Sequence, residues 1–149
     1  RNQGGCGSCW AFGTTAGLEA YHLIRRPDLD STFDLSEQIM VSCLVKSCLG
    51  YGISGASDYI RDHGIPAETC YPYISNVGDC NDACASWQID AYRMDAWGQV
   101  PSQNVEAMKY AIWKYGPLIV DMNVYLDFDA YTSGIYEVGD HILTIMPSE

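Results

Sequence analysis

The spacing of apolar residues predicts helices in the first part of the chain and mostly strands in the second. Helical spacing predicts four helices, over residues 10–24, 34–43, 53–63 and 104–115. Alternating apolar and polar positions predict strands over residues 88–97, 118–124, 134–136 and 141–146. The pattern therefore predicts an α+β chain with a helical lobe, residues 1–90, a strand-rich lobe, residues 91–149, and a cleft between them.

The second helix and the segment after the third carry local signals of their own. Asp34 and Glu37 have the spacing of a capping box at a helix start, and Ser36 is an alternative cap. Residues 64–85 hold Pro66, Pro72 and three cysteines, which predicts a loop held by crosslinks.

A glycine-rich loop leads directly into the first helix and carries the most distinctive chemistry. Its sequence is Gln3-Gly4-Gly5-Cys6-Gly7-Ser8-Cys9-Trp10. Cys9 falls in the first helical turn, where unpaired N–H groups and the helix dipole favour the nucleophilic thiolate. The Gln3 amide and the Cys9 N–H are placed to receive a developing oxyanion.

The pair Cys6 and Cys9 also fits two other kinds of site, because C-x-x-C occurs in redox and zinc centres. A redox pair follows a strand in thioredoxin-like folds, and no strand-like run precedes this one. A zinc site needs a second close pair, which the other cysteines do not form, so no metal ligands are predicted. A thiol oxidoreductase using Cys6 and Cys9 remains an alternative function.

The composition of the chain restricts its possible partners and cellular compartment. The chain has 149 residues, a net charge of −11 and a pI near 4.4, which argues against nucleic acid or anionic membranes as partners. No apolar run is long enough to span a bilayer. Seven cysteines in a short chain indicate an oxidising compartment, with six paired and one left as a reactive thiol.

A cysteine nucleophile needs a basic partner, and the chain has three histidines. His22 lies near the charged end of the first helix and is interpreted as a satisfied or solvated side chain. His63 ends the third helix, where it meets the negative end of the helix dipole, and is interpreted as structural. His141 follows Gly139-Asp140 and opens a strand in the second lobe, the position that a partner across a cleft would occupy.

Several motifs together resemble the papain-like cysteine peptidases. Cys6-Gly7-Ser8-Cys9-Trp10 matches the signature around the papain and cathepsin nucleophile. Further matching segments are Leu35-Ser36-Glu37-Gln38 with Cys43, Tyr71-Pro72-Tyr73, Tyr115-Gly116-Pro117 and Gly134-Ile135-Tyr136. The pattern is most similar to the cathepsin B and cathepsin C branch. The resemblance implies a papain-like fold with a helical lobe and an antiparallel, barrel-like second lobe.

The same resemblance assigns roles to residues. It implies Cys9 as the nucleophile, His141 as its partner and Gln3 as the oxyanion donor, with no metal or cofactor. The implied disulfides are Cys6–Cys48, Cys43–Cys80 and Cys70–Cys84. The implied substrate-binding residues are Gly50, Tyr51, Ile53, Asp121 and Asp140.

Three departures from the family pattern affect specificity. Tyr51 replaces a glycine whose backbone binds extended substrate in the family. Only Ile74 to Asp79 separates Tyr73 from Cys80, too few residues for the occluding loop of cathepsin B, so we expect endopeptidase action. The resemblance also places Asp121 on the wall of the S2 pocket, which predicts tolerance of Arg or Lys there. The alternative interpretation of Asp121 is a solvated strand carboxylate.

The resemblance also sets expectations for the whole protein. The family's Asn-Ser-Trp-Gly segment would lie beyond Glu149, so the chain is interpreted as an internal fragment of a longer enzyme, and a catalytically inactive binding protein is the other alternative. Expected partners are peptide or protein substrates, a pro-region and cystatin-like inhibitors, with no nucleic acid or membrane. We expect a monomer in a lysosome-like acidic compartment or outside the cell.

Overall fold

The structure is a computed structural model that describes residues 2–122, 124–125, 128 and 130–135. The chain divides into two compact units, Arg1–Ile119 and Val120–Glu149. The four α-helices of the described part lie in the first unit, which also carries the candidate nucleophile.

Helix α1 spans Cys9–Arg25 and confirms the first predicted helix. One face is buried, and its members are Trp10, Ala11, Thr14, Thr15 and Leu18. The helix ends where the Arg26 N–H donates to the His22 carbonyl at 2.8 Å, just before Pro27. The next two helices of the chain pack against this helix.

Helix α2 spans Glu37–Ile39 and widens into a π-helix over Met40–Val45. Its cap is Ser36, whose side chain accepts from the Ile39 N–H at 3.3 Å. The predicted capping box of Asp34 and Glu37 is therefore wrong, because Glu37 is the first helical residue and not the third. The alternative cap at Ser36 is confirmed.

Helices α3, Ile53–Asp62, and α4, Val105–Tyr115, confirm the two remaining predicted helices. The Asn104 side chain caps α4 by accepting from the Ala107 N–H at 2.9 Å. Gly116 ends α4 with φ +110°, a conformation that side chains with a Cβ rarely adopt. Short 3₁₀ turns at Glu68–Cys70 and Cys80–Asp82 interrupt the predicted loop.

The hydrophobic core lies between α1, α2, the π-helix and α3. Its fully buried large side chains are Leu35, Ile39, Met40, Val41, Ile60 and Ile65. Trp10 and Leu18 of α1 and Tyr71 complete the same cluster. Burial of these apolar side chains is the main stabilising term for the unit.

The predicted strands are not formed in the described residues. Within 88–97 only Tyr92 pairs, in an isolated antiparallel bridge with Ile65 (N···O 2.8 and 2.9 Å). Residues 118–122, 134 and 135 have no strand assignment, and Val120 is 71% exposed. Alternation marks residues suited to a half-buried ladder, but a ladder also needs a hydrogen-bonded neighbour. Tyr136 and the predicted strand 141–146 lie outside the described residues.

Candidate active site

Cys9 is exposed at the first position of α1. It is the free cysteine of the described residues, since the other six form disulfides. The first N–H groups of a helix have no acceptor within the helix, and they carry the positive end of its dipole. An exposed thiol at this position is suited to act as a nucleophile.

Two links fix the loop in front of Cys9. Cys6 is bonded to Cys48, with the two Cα atoms 4.6 Å apart. The Gly7 N–H donates to the Cys48 carbonyl at 2.8 Å, and a Cβ at Gly7 would lie only 2.6 Å from that oxygen. The close approach explains the glycine. The bond to Cys48 also argues against the redox alternative, because Cys6 is not available to pair with Cys9.

The structure forms the three disulfides that the resemblance implied. Cys43–Cys80 ties the π-helix to the second 3₁₀ turn, and Cys70–Cys84 closes the segment between the two turns. These links hold the 70–84 segment against the helical core, and that segment carries the side chains that contact Gln3.

Gln3 is half-buried, and its carbonyl accepts two hydrogen bonds, from Tyr73 Oη and from Ser75 Oγ, each at 2.8 Å. Gly4 follows with φ +63°, and a Cβ there would lie 2.0 Å from Ser75 Oγ. The backbone of the candidate oxyanion donor is thus held by residues about 70 positions away in the sequence.

The segment Gly50 to Ile53 lies beside α1. Gly50 has φ +100°, and Ile53 is the half-buried first residue of α3. The Tyr51 ring meets Trp10 edge-on, with ring centroids 5.3 Å apart. A Cβ at Gly55 would lie 2.6 Å from the Tyr51 ring, so Tyr51 occupies the space that a larger residue at Gly55 would take.

Comparison with known proteins identifies the family. The model of the papain family of cysteine proteases matches residues 1–145. The chain belongs to this family.

Two papain-family relatives show the extent of the similarity. Zingipain-2 of Zingiber officinale is 36% identical over 155 residues, covering 98% of this chain and 67% of that protein. Digestive cysteine proteinase 3 of Homarus americanus is 35% identical, covering 91% of this chain. The chain spans 42% of the length of that proteinase.

Solved structures show the papain-like fold. The Carica candamarcensis cysteine protease CMS1MS2, in complex with E-64, aligns with a TM-score of 0.65 at 32% identity over 76% of this chain and 52% of that one. The ragweed pollen allergen Amb a 11, a cysteine protease in its proform, also aligns with a TM-score of 0.65, at 34% identity over 76% of this chain and 34% of that one.

The structure brings together only some of the residues predicted for this papain-family site. Cys9, Gln3, Gly50, Tyr51 and Ile53 belong to the first unit. Asp121 is exposed in the second unit. His141 and Asp140 lie outside the described residues, so their roles stay predictions.

The other two histidines sit in different surroundings. His22 packs near Phe33 and Tyr92, with ring centroids 6.1 and 5.2 Å away, and its Nε2 has no hydrogen-bond partner among the described residues. Burial lowers the pKa of His22, and the nearby Arg26 charge lowers it further, against a backbone hydrogen bond at Arg93. His63 follows α3, with its ring 4.8 Å from that of Tyr59.

Neither a metal site nor a membrane span is found in the part of the chain that the structure describes. No three His, Cys, Asp or Glu side chains of those residues are grouped so that they could hold a metal ion. Among the same residues, no helix combines the length and apolar character needed to cross a bilayer.

Sequence reasoning missed the contacts of Tyr73, Ser75 and Ser8. The segment Tyr71-Pro72-Tyr73 matches a family motif, but nothing in its local pattern shows that a hydroxyl from it reaches Gln3. The sequence places Ser8 in the nucleophile loop and indicates no contact for its hydroxyl.

Proposed function

We propose that this chain is the nucleophile-bearing part of a cysteine endopeptidase. The observation that carries the proposal is the exposed, unpaired Cys9 at the first residue of α1, in a loop whose other cysteine is locked to Cys48. Membership of the papain family supports the same chemistry.

In the proposed reaction the Cys9 thiolate attacks a peptide carbonyl carbon, and a C–S bond forms. The carbonyl oxygen becomes an oxyanion that the Gln3 amide and the Cys9 N–H stabilise. The C–N bond then breaks, and protonated His141 gives its proton to the leaving amine. His141 next takes a proton from water, which attacks the thioester and releases the acid and the Cys9 thiolate. The reaction uses no metal or organic cofactor.

The proposal also includes the residues that contact the substrate and the preference for internal cleavage. Gly50, Tyr51 and Ile53 would contact the substrate together with Asp121 and Asp140. Asp121 would make the S2 pocket tolerant of Arg or Lys at P2. The short stretch Ile74 to Asp79 supports an open cleft and internal cleavage. The sequence pattern predicts that the enzyme is most similar to the cathepsin B and cathepsin C branch of the family.

The setting of the enzyme is also proposed. The division into a helical lobe, residues 1–90, and a barrel-like lobe, residues 91–149, follows the resemblance, as does a monomeric state. A pro-region and cystatin-like inhibitors are expected partners. Three disulfides and the low pI support the secretory pathway, in a lysosome-like compartment or outside the cell.

A peptidase assay of the full-length protein with internally quenched peptides tests the proposal. We expect cleavage inside the peptide, and a loss of at least ~10³-fold in kcat for Cys9→Ala and for His141→Ala. His63→Ala is the matched histidine control and should retain activity. Turnover that survives Cys9→Ala would contradict the proposed nucleophile. Successive release of dipeptides from the C-terminus would contradict endopeptidase action.

A further inference from the structure

A single hydroxyl connects the two ends of the nucleophile loop. Tyr73 Oη lies 2.8 Å from the Gln3 carbonyl oxygen and 2.6 Å from Ser8 Oγ. Gln3 carries the candidate oxyanion amide, and Ser8 immediately precedes Cys9. The loop between these contacts contains Gly4, Gly5 and Gly7, the residue type with the most backbone freedom.

The direction of the hydrogen bonds follows from the donors available. A carbonyl oxygen only accepts, so Tyr73 Oη donates its one proton to Gln3. Tyr73 Oη must then accept from Ser8 Oγ, for which the Cys6 carbonyl is the more distant acceptor at 3.4 Å. Two consecutive hydrogen bonds therefore join Ser8 to Tyr73 and Tyr73 to Gln3, and we call this chain of hydrogen bonds the relay.

The relay uses Ser8 in an unusual way. Serine at an N-cap ordinarily accepts from an N–H of the first helical turn. Ser8 is the N-cap of α1 and is fully buried, yet the described structure gives its side chain no capping hydrogen bond. The first N–H groups of α1, next to Cys9, are thus left without a side-chain acceptor from Ser8.

Tyr73 is itself held in place from two sides. Its backbone N–H donates to the Glu68 carboxylate at 2.7 Å. Its ring meets Phe12 of α1 edge-on, with centroids 4.9 Å apart. Ser75, two residues later, adds a second donor to the Gln3 carbonyl at 2.8 Å. Because these contacts restrain Tyr73, its hydrogen bond also restrains the position of the Gln3 carbonyl.

We propose that the Tyr73 hydroxyl is a positioning group that holds the Gln3 backbone and the start of α1 in the geometry needed to stabilise the oxyanion. The inference rests on the proposed peptidase function, since Gln3 and Cys9 act there as the oxyanion-binding pair. In this proposal Tyr73 is a positioning residue and not a catalytic one. Its effect is exerted through Gln3 and Ser8.

The test compares Tyr73→Phe with Tyr71→Phe in the full-length protein. Both variants remove one hydroxyl from the same Tyr-Pro-Tyr segment, but that of Tyr71 donates to the Asp79 carbonyl at 2.7 Å and meets Ser42 Oγ at 3.1 Å. Small misplacements of a catalytic group can cost up to about 100-fold in rate. We expect Tyr73→Phe to lower kcat by about 10- to 100-fold with KM within about 2-fold, and Tyr71→Phe to keep kcat.

Two further readouts separate positioning from general stability. A peptide aldehyde that forms an oxyanion-bearing adduct on Cys9 should lose affinity in Tyr73→Phe by about the same factor as kcat. Tyr73→Phe added to Gln3→Ala should cost less than the product of the two single effects, because the Tyr73 hydroxyl acts in part through the Gln3 amide that Gln3→Ala removes. Equal kcat in wild type and Tyr73→Phe, or fully additive effects of the two substitutions, would overturn the inference.

Amide hydrogen exchange tests the relay independently of turnover. Exchange at residues 4–8 should speed up at least about 10-fold in Tyr73→Phe and stay unchanged in Tyr71→Phe. Unchanged exchange in Tyr73→Phe would overturn the relay even in an active enzyme. A wild-type protein that cleaves no peptide and binds no aldehyde would contradict the proposed function, while the exchange result would still decide whether Tyr73 holds the loop.

Discussion

Helices α1 and α4 start from similar sequence signals and end in different surroundings. Both were predicted from apolar spacing, and both formed within about one residue of the predicted bounds. Five residues of α1 are buried, whereas Ala111 is the buried residue of α4. Trp113 and Ile112 of α4 are 80% and 54% exposed in the described structure. Apolar spacing thus predicts that a helix forms, but burial also requires a surface to pack against.

The two N-termini differ in a way that matters for chemistry. Asn104 caps α4 with its side chain, so one of the first N–H groups there is satisfied. At α1 the Ser8 side chain contacts Tyr73 instead. The first turn of α1, which carries the Cys9 thiol, therefore has no side-chain cap from Ser8, whereas the first turn of α4 is capped by Asn104.

The largest effect should come from removing the crosslink beside α1. No cysteine follows Cys84, so disulfides stabilise the surroundings of α1 but cannot stabilise those of α4. Cys6 and Cys48 are 42 residues apart, against 14 for Cys70 and Cys84. Chain entropy predicts losses of about 4 kcal/mol for Cys6→Ala with Cys48→Ala and about 3 kcal/mol for Cys70→Ala with Cys84→Ala. Urea unfolding measures both, and a reversed order would show that loop closure is not the main term.

A truncation pair tests the difference in burial directly. Leu18 of α1 is 3% exposed, and Ile112 of α4 is 54% exposed. We expect Leu18→Ala to lower the free energy of unfolding by about 3 kcal/mol and Ile112→Ala by less than about 1 kcal/mol. Urea unfolding at fixed pH compares the two variants. Equal losses would mean that α4 is packed as tightly as α1.

Two glycines within α1 sharpen the comparison at smaller scale. A Cβ at Gly13 would lie 3.6 Å from Ile119, an ordinary contact, whereas one at Gly17 would lie 2.8 Å from the same side chain. Alanine favours the helix by about 1 kcal/mol over glycine. Gly13→Ala should therefore raise the thermal midpoint, and Gly17→Ala should lose that gain because Ile119 must move. A greater gain at Gly17 than at Gly13 would show that α1 and Ile119 are not closely packed.

The smallest expected effect is a pH dependence at the end of α1. The pKa of His22 is lowered in the fold, chiefly by burial, from an ordinary value of 6.5. The unfolded chain therefore binds the proton more tightly, and the stabilising contribution present above pH 6.5 is lost as pH falls through the lowered pKa. The thermal midpoint of wild type should fall more between pH 7 and about pH 5 than that of His22→Leu. Parallel midpoints would contradict this.

Helix positions and most helix ends were predictable from local sequence signals, but the capping box predicted from Asp34 and Glu37 was wrong. Gly116 and Asn104 mark the ends of α4, and Ser36 stood among the predicted caps. The strand at 88–97 failed because pairing depends on a neighbour distant in sequence, and only Tyr92 found one, at Ile65.

The candidate site divides in the same way. Cys9 could be predicted because its loop and helix are contiguous, and the disulfides followed from family resemblance. The contact between Tyr73 and Gln3 spans 70 residues and depends on a side-chain hydroxyl, so no periodicity or cap signal indicates it. His141 remains a prediction from the family pattern.

The most direct test of Cys9 as the nucleophile is labelling of the full-length protein with a peptidyl epoxide of the E-64 type at acidic pH, followed by mapping of the modified cysteine. We expect one adduct, on Cys9, that is strongly reduced in His141→Ala. An adduct on Cys6, or a folded protein in which Cys9 is not modified, would contradict the assignment of Cys9 as an activated nucleophile.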